Sequence, residues 1–555
     1  MTNNKAIEVY SAFGAQGLTQ TLEMTKAHVK KLYLSDEIPW VIGYSGGKDS
    51  TAILQLIWYA LIDLKAEDKC HKDVHVISTD TLVENPFVAM WVEKSLERMK
   101  EATVKQGLPI IPHRLTPAIK DRFWVNLIGK GYPAPRYKFR WCTDRLKISP
   151  SNTFINNLVD KRGEAILVLG TRKAESNARA TSMDHYENIN TNTRKAEGLT
   201  ANGSLDRVWV YTPIADWTND DVWVYLNSVA NPWNFPNQDL MGMYQGATEG
   251  GECPLVVDKS TQSCGDSRFG CYVCTMVSED KSMTAMIAND DEKDWMLPLL
   301  ALRNEIDVND ANRDKKLDKL RRDKARRDFR RMNGSLTVHI SKHGADIVPG
   351  PYIQSFREQL LQKVLEAQVA VQQMGPPEVQ NLELLPLEEL EEIRRIWLEE
   401  KMEVEDNLPA IYEKVIKKPY PGDKRAHHPV LNTTVLNQLK KYCAEHNDSD
   451  GLMYQQARAV MAIANKHRHQ LRRANLITEL DESLEKGAFS SLEDAKSFAL
   501  ERKRHELQIQ YDNSPNLSNE EKANIAEQIA IITRSIKEKG YSSLLIETEV
   551  VSDDI

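Results

Sequence analysis

The chain of 555 residues is 41% hydrophobic and 27% charged, long enough for about three or four domains and a sizeable core. Its 72 Lys and Arg against 80 Asp and Glu leave a net charge of −8, which excludes a histone-like polycation and confines any nucleic-acid contact to a local basic face. No run of about eighteen apolar residues is present, the start lacks a basic-then-apolar pattern, and seven cysteines are too few for a disulfide scaffold; the expectation is a cytoplasmic protein with no membrane span or export signal, whose clustered cysteines serve metal or sulfur chemistry.

In chain order, Pro39–Tyr44 predicts a strand, Ser45–Ser50 a glycine turn and Thr51–Leu64 a helix. The alternation continues with a strand over Asp73–Thr79, a helix over Asn85–Lys105 and a strand over Pro109–Leu115. Ala165–Gly170 and Arg207–Ile214 read as two more strands and Asn219–Val229 as the next helix. Strands alternating with helices imply an α/β fold with a doubly wound, mostly parallel sheet, which binds ligands at the carboxyl ends of its strands. Gly242–Cys274 is rich in glycine and cysteine, a loop in need of a staple. Asn312–Met332 is strongly basic, and Asn333–Pro351 reads as a boundary. Tyr352–Gln373, Pro386–Asn407 and most of the chain beyond Asn432 are helical by period, with a helix start at Ser490–Asp494. The expected organisation is a nucleotide-binding domain over 1–240, a Cys-rich segment over 241–300, a basic helix and linker over 301–350, and a mainly helical extension over 351–555.

Within Ser45-Gly46-Gly47-Lys48-Asp49-Ser50 two glycines allow a sharp turn, so that backbone N–H groups and the start of the next helix face an anion. Phosphate suits such a cradle: Lys48 adds a positive charge, Ser45 and Ser50 add hydroxyls, and Asp49 can hold a magnesium ion on the phosphates. The spacing is not that of the P-loop; an ordinary capped turn is the alternative. The run resembles the pyrophosphate loop of N-type ATP pyrophosphatases and phosphoadenylyl-sulfate reductases, which implies an adenine nucleotide alpha hydrolase-like fold that binds ATP. Ser78-Thr79-Asp80-Thr81, Arg140-Trp141-Cys142-Thr143 and Gly170-Thr171-Arg172-Lys173-Ala174-Glu175-Ser176 with Arg179 are similar to further segments of the reductase-like branch. The resemblance implies nucleotide contacts at Thr79, Asp80, Arg140, Gly170, Arg172 and Glu175. Independently of it, Arg140, Arg172 and Arg179 offer planar forks for phosphate oxygens. Trp217 and Trp223 read as packing residues first.

Cys253, Cys264, Cys271 and Cys274 fall within one short loop-like segment ending in a C-x-x-C pair. Four thiolates hold either tetrahedral zinc or an iron–sulfur cluster, and the spacing leaves both open. Cys142, beside Arg140, is either a nucleophile or persulfide carrier with a lowered pKa or a buried structural cysteine; Cys70 and Cys443 read as structural residues in helical surroundings. The segment Cys264–Thr275, with the reductase-like half and the long extension, resembles the DndC family of DNA-phosphorothioation sulfurtransferases. That resemblance, strongest over about residues 10 to 280, implies a [4Fe–4S] cluster on the four cysteines. It also implies a cysteine desulfurase as sulfur donor and DndD- and DndE-like partners. The chain lacks the C-terminal Glu-Cys-Gly-[Ile/Leu]-His of true sulfonucleotide reductases, so sulfonucleotide reduction loses its catalytic cysteine.

The basic run Arg313–Arg331 carries eleven Lys and Arg against four Asp, which suits tracking of DNA phosphates or, alternatively, a solvated helix face. The combined expectation is an ATP-dependent sulfurtransferase that adenylates a DNA backbone phosphate, releases pyrophosphate and replaces a non-bridging oxygen by sulfur, with Lys48, Asp49, Cys142, Arg172 and Arg179 as catalytic residues. The rivals are an iron–sulfur tRNA thiolase using the same loop and a nucleotide-binding scaffold with structural zinc.

Overall fold

The structure is a computed structural model that describes residues 11–14, 16–136, 139–189, 194–248, 269–308, 312–423, 433–446, 448, 450–468, 470–514 and 517–538. The chain divides into two compact units. The first comprises Met1–Phe123, Pro135–Ala311 and Ala367–Leu384, and the second Trp124–Ala134, Asn312–Glu366 and Leu385–Ile555.

Six strands of the first unit form one sheet: β1 (Trp40–Gly43), β2 (Val74–Thr79), β3 (Ile110–Leu115), β4 (Ala165–Val168), β5 (Thr200–Ala201) and β6 (Val208–Tyr211). Their order is β3-β2-β1-β4-β6-β5, parallel except for the edge strand β5. Trp40, Val41, Ile42, Val74, Val76, Ile166 and Val168 are fully buried, as strands covered on both faces require. Around the sheet run α1 (Gly17–Leu34), α2 (Lys48–Ala66), α3 (Pro86–Gln106), α4 (Ser149–Arg162), α5 (Asn177–Ile189), α6 (Asn219–Ser228), α7 (Asn237–Gly246), α8 (Lys281–Asn289) and α9 (Leu297–Ile306). The ends of α3 show why it forms: the Asn85 side chain accepts from the Phe87 N–H, Pro86 occupies the first turn, and Gly107 closes the helix at φ +61°. Thr218 and Asp221 form a reciprocal cap on α6. Trp217 and Trp223 are buried packing residues, as expected.

The chain leaves β1 toward β2 and β3, then returns to the opposite side of β1 as β4. The loops after β1 and β4 therefore flank the switch point, where such sheets open a crevice.

In the second unit α10 (Arg313–Ala325) carries the first part of the basic run, and the expected linker contains a hairpin of β7 (Val338–Ser341) and β8 (Gly344–Ile347). Helices follow: α11 (Gln354–Met374), whose residues from Ala367 on count with the first unit, α12 (Leu387–Arg395) with a π-helical turn at Ile396–Glu400, α13 (Asn407–Ile416), α14 (Thr433–Glu445), α15 (Leu452–Lys466), α16 (Leu476–Gly487), α17 (Leu492–Asn513) and α18 (Asn519–Glu538). Ser491 caps α17 by accepting the Asp494 N–H, at the helix start read from the sequence. The hairpin packs on α17 and α18 through Ala345, Leu500, Leu507, Ile525 and Ile532. Among the described residues no helix is long and apolar enough to cross a membrane.

Candidate active site

The loop between β1 and α2 is shaped by its glycines. Gly46 adopts φ +72°, and a Cβ there would meet Val92 Cγ2 at 2.5 Å, so this position excludes a side chain on two counts. Gly47 precedes α2, whose first residue is Lys48, so the helix start and its N–H groups open toward the crevice. Ser45 and Ser50 face each other at 3.2 Å between hydroxyl oxygens, and the Ser50 hydroxyl donates to the Gly47 carbonyl at 3.0 Å. Ser50 thus braces the loop from inside. The Trp91 indole donates to the Gly46 carbonyl at 3.2 Å. Gly170, after β4, lies where a Cβ would stand 3.0 Å from the Asp49 backbone, so the absence of a side chain there lets the two loops touch.

A cavity of about 1110 Å³ opens on this loop. Ser45, Gly46, Gly47, Lys48 and Asp49 form one wall, Thr79 and Asp80 at the end of β2 another, and Arg172, Glu175 and Arg179 a third. These expected site residues are therefore brought together. Ser50, Gly170, Arg140 and Cys142 are not among the lining residues. Tyr244 completes the loop side: its hydroxyl accepts the Lys48 backbone N–H at 3.5 Å, and Lys48 Nζ lies 5.5 Å from its ring centroid. Burial holds the Tyr244 hydroxyl far above the ordinary phenol pKa, so it stays neutral.

Five carboxylates and five basic side chains line the cavity, and they are paired. Asp49 accepts Arg172 Nε at 2.8 Å and Lys48 Nζ at 3.3 Å. Arg114 bridges Asp80 at 2.5 Å and Glu93 at 2.7 Å, Lys147 lies 3.5 Å from Glu84, and Arg179 pairs with Glu175. Arg114, Glu84 and Lys147 were missed by the sequence reading. Arg114 is the penultimate residue of β3, whose Ile110–Leu115 run has no regular alternation, and Lys147 lies in the π-helical turn Thr143–Ile148. That turn is of a kind frequent at functional sites, but it belongs to the folded backbone and leaves no signal in the sequence.

Cys253 and Cys264 lie outside the described residues. Cys271 and Cys274 are described, and they sit beside the cavity. Residues 270–272 pair with 83–85 through the Asn85 N–H to the Gly270 carbonyl at 3.3 Å and the Tyr272 N–H to the Val83 carbonyl at 3.0 Å. Cys271 Sγ consequently lies 3.4 Å from Thr81 Oγ1 and 3.9 Å from Glu84 Oε1. Burial foremost, with Glu84 adding to it, holds the Cys271 thiol well above its usual pKa. The Cys274 N–H closes a tight turn onto the Cys271 carbonyl at 2.9 Å. Arg303, 1% exposed, grips the following segment by donating to the carbonyls of Cys274, Val277 and Ser278. Among the described residues no group of three or more His, Cys, Asp or Glu is gathered to hold a metal ion; the C-x-x-C turn supplies two thiols of the kind that soft metals take.

Cys142 is partly buried. Arg140 is exposed, and burial first, then the nearby Cys274 thiol, hold Cys142 above the ordinary thiol pKa. Both act against thiolate formation at this position. Cys70 lies in a loop rather than a helix and donates to the Leu61 carbonyl. Cys443 is buried in α14.

Residues 39–235 match the phosphoadenosine phosphosulfate reductase domain family. The uncharacterized protein MJ0066 of Methanocaldococcus jannaschii is 29% identical over 206 residues, which are 37% of this chain and 35% of that protein, so the chain spans about a third of the length of the curated relative. Among solved structures, the U34-tRNA thiolase NcsA of Methanococcus maripaludis with its [4Fe-4S] cluster aligns at 17% identity and a TM-score of 0.24, over 37% of this chain and 62% of that one. The region that holds the glycine loop, the cavity and the sheet is thus a phosphoadenosine phosphosulfate reductase-like domain with a mostly parallel α/β fold.

Proposed function

We propose that the protein is an ATP pyrophosphatase-type sulfurtransferase that modifies DNA. The observation that carries this reading is adjacency: Glu84 and Lys147 line the nucleotide-sized cavity and also interact with Cys271, so a phosphate cradle and a thiol pair share one wall. An oxygen-bearing substrate activated at the cradle is then within reach of sulfur held at the cysteines.

In this scheme the triphosphate rests on the N–H groups at the start of α2 and on Lys48. A non-bridging phosphate oxygen of DNA attacks the α-phosphorus and pyrophosphate leaves; a sulfur nucleophile then attacks the DNA phosphorus and AMP departs with that oxygen. Lys147 sets positive charge beside the incoming sulfur: burial opposes its protonation, but Glu84, Cys271 and Cys274 outweigh it and raise its pKa. Cys271 and Cys274 would hold half of a [4Fe–4S] cluster, with Cys253 and Cys264 as the other ligands, and the group would supply sulfur or thiolate chemistry there. Sulfur comes from a cysteine desulfurase, and DndD- and DndE-like proteins assist. Duplex DNA is the substrate this reading favours over tRNA.

The test is product analysis. Anaerobically purified protein is incubated with ATP, Mg²⁺, cysteine, a desulfurase and either duplex DNA or tRNA, and the nucleic acid is digested for mass spectrometry. Phosphorothioate-linked dinucleotides from DNA are the expected product. Thionucleosides from tRNA with none from DNA would replace this reading by the thiolase.

A further inference from the structure

The carboxylate that the sequence assigns to magnesium is held by two cations in the cavity. Asp49 accepts Arg172 Nε on Oδ1 at 2.8 Å and Lys48 Nζ on Oδ2 at 3.3 Å. Arg172 is 3% exposed, and its other arm donates to the Trp217 carbonyl at 3.3 Å, so its direction is set by Asp49 and Trp217 together. Withdrawing Asp49 toward a metal would strand a buried guanidinium, which is costly. The remaining cavity carboxylates, Asp80, Glu93, Glu84 and Glu175, are answered by Arg114, Lys147 and Arg179. Magnesium takes octahedral oxygen ligation, commonly several waters and substrate phosphate oxygens with one or two carboxylates, and every carboxylate of this cavity is already engaged by a cation. The residues present do not fit a magnesium ion held by the protein.

We propose that Asp49 is a positioning residue, not a metal ligand. Its carboxylate ties Arg172, and with it the loop after β4, to the loop after β1 across the switch point. The contact is close: a Cβ on Gly170 would stand 3.0 Å from the Asp49 carbonyl group. Asp49 also holds Lys48 in reserve. An arriving phosphate draws Lys48 Nζ away, and the Asp49–Arg172 pair remains intact and neutral, so the loop presents a net positive charge to the anion. Any divalent cation arrives on the nucleotide and leaves with pyrophosphate. This rests on the nucleotide reading of the cavity.

Binding experiments on the full chain separate the roles. Mn²⁺ is titrated by electron paramagnetic resonance, and a non-hydrolysable ATP analogue is titrated with Mg²⁺ or with EDTA, in wild type, Asp49→Asn, Arg172→Met and the double variant. The expected result is no Mn²⁺ site tighter than about 1 mM in the protein alone, where metal sites built by protein oxygens reach well below that. Asp49→Asn should weaken the analogue about tenfold, equally with and without metal, and add nothing in the Arg172→Met background. Arg172→Lys, which keeps the charge and changes the fork, serves as a second variant should Asp49→Asn fail to fold, and should also lose affinity equally in both conditions. A Mn²⁺ site tighter than about 100 μM that disappears in Asp49→Asn, or a loss of affinity seen only with metal present, would overturn the proposal. Failure of the nucleotide reading is distinguishable, because the analogue would then bind wild type in neither condition while the Mn²⁺ titration still decides the role of Asp49.

Discussion

Basic residues concentrate in two places that were assembled in opposite ways. The cavity gathers Lys48, Arg114, Lys147, Arg172 and Arg179 from five separate segments, whereas Arg313–Arg331 is one contiguous run. The contiguous run suits either tracking of DNA phosphates or a solvated helix face, and the structure divides it. Lys315, Lys316, Arg321, Arg322 and Lys324 are exposed on α10, interleaved with Asp314 and Asp318. Beyond the helix, Arg327 donates to Asp323 and to the Gly350 and Pro349 carbonyls, Arg330 bonds Asp328 and Gln455, and Arg326 lies over the Phe356 ring at 4.4 Å. The end of the run, from Arg326, is scaffolding within the second unit. Density of charge along a sequence counts residues; a site depends on which of them converge.

The comparison is broken most severely at Arg303, a cation buried for structure beside the cysteines. It and Asp307 are 1% and 0% exposed at the side chain, 2.8 Å apart. Arg303→Ala should cost about 3–5 kcal/mol by leaving that carboxylate and several carbonyls unanswered, and thiol titration should find Cys271 and Cys274 reacting faster with alkylating reagents. Unchanged stability would remove its structural role. Arg327→Ala should follow at about 3 kcal/mol, since its partner Asp323 is also buried. Arg321→Ala, on the exposed face of α10 beside the equally exposed Asp318, should stay within about 0.5 kcal/mol in urea unfolding. Equal effects at the two positions would erase the distinction between scaffold and surface.

Gly46→Ala addresses the shape of the assembled site. The φ of +72° and the Val92 contact should cost about 1–3 kcal/mol of local strain, read as weaker nucleotide binding more than as lost stability. Gly163→Ala, also at positive φ but with open space around it, should alter stability without altering nucleotide affinity.

The smallest effect concerns pH. Burial pushes the Asp36 carboxyl up, but hydrogen bonds from Lys72 and Arg194 outweigh it and hold its pKa below the ordinary value. A carboxylate whose folded pKa is depressed contributes stability above its unfolded pKa and loses it as pH falls through the folded one. The urea midpoint should therefore decline on acidification below the usual carboxylate range, and Asp36→Asn should flatten that part of the profile. A variant with the wild-type slope would assign the acid sensitivity elsewhere.

The strand, glycine turn and helix around Ser45–Ser50 were legible because they are contiguous and each piece has its own signal: apolar run, paired glycines, then helical period. The parallel sheet followed from alternation. What stayed hidden required distance or subtlety. Arg114 and Lys147 enter the cavity only through the folding of β3 and the π-turn, and the registry between 83–85 and 270–272 that sets Cys271 beside Glu84 spans almost two hundred residues of chain. Helix α1 buries only Val29, Leu32 and Tyr33, too narrow a stripe to stand out. The β7–β8 hairpin did leave a trace, Val338 and Ile340 alternating with polar residues before Gly344, but the surrounding glycines and prolines read more strongly as a boundary.

The glycine loop is the proposed site of ATP activation. Pyrophosphate release from ATP by anaerobically prepared full chain, with and without duplex DNA, tests it most directly when wild type is set beside Lys48→Ala. Removing a preorganised positive group from developing phosphate charge should cost about a hundredfold or more in rate, with DNA-stimulated release in wild type and near-background release in the variant, measured where an unfolding curve shows both proteins folded. DNA-independent release unchanged in Lys48→Ala would place the chemistry elsewhere and contradict the account.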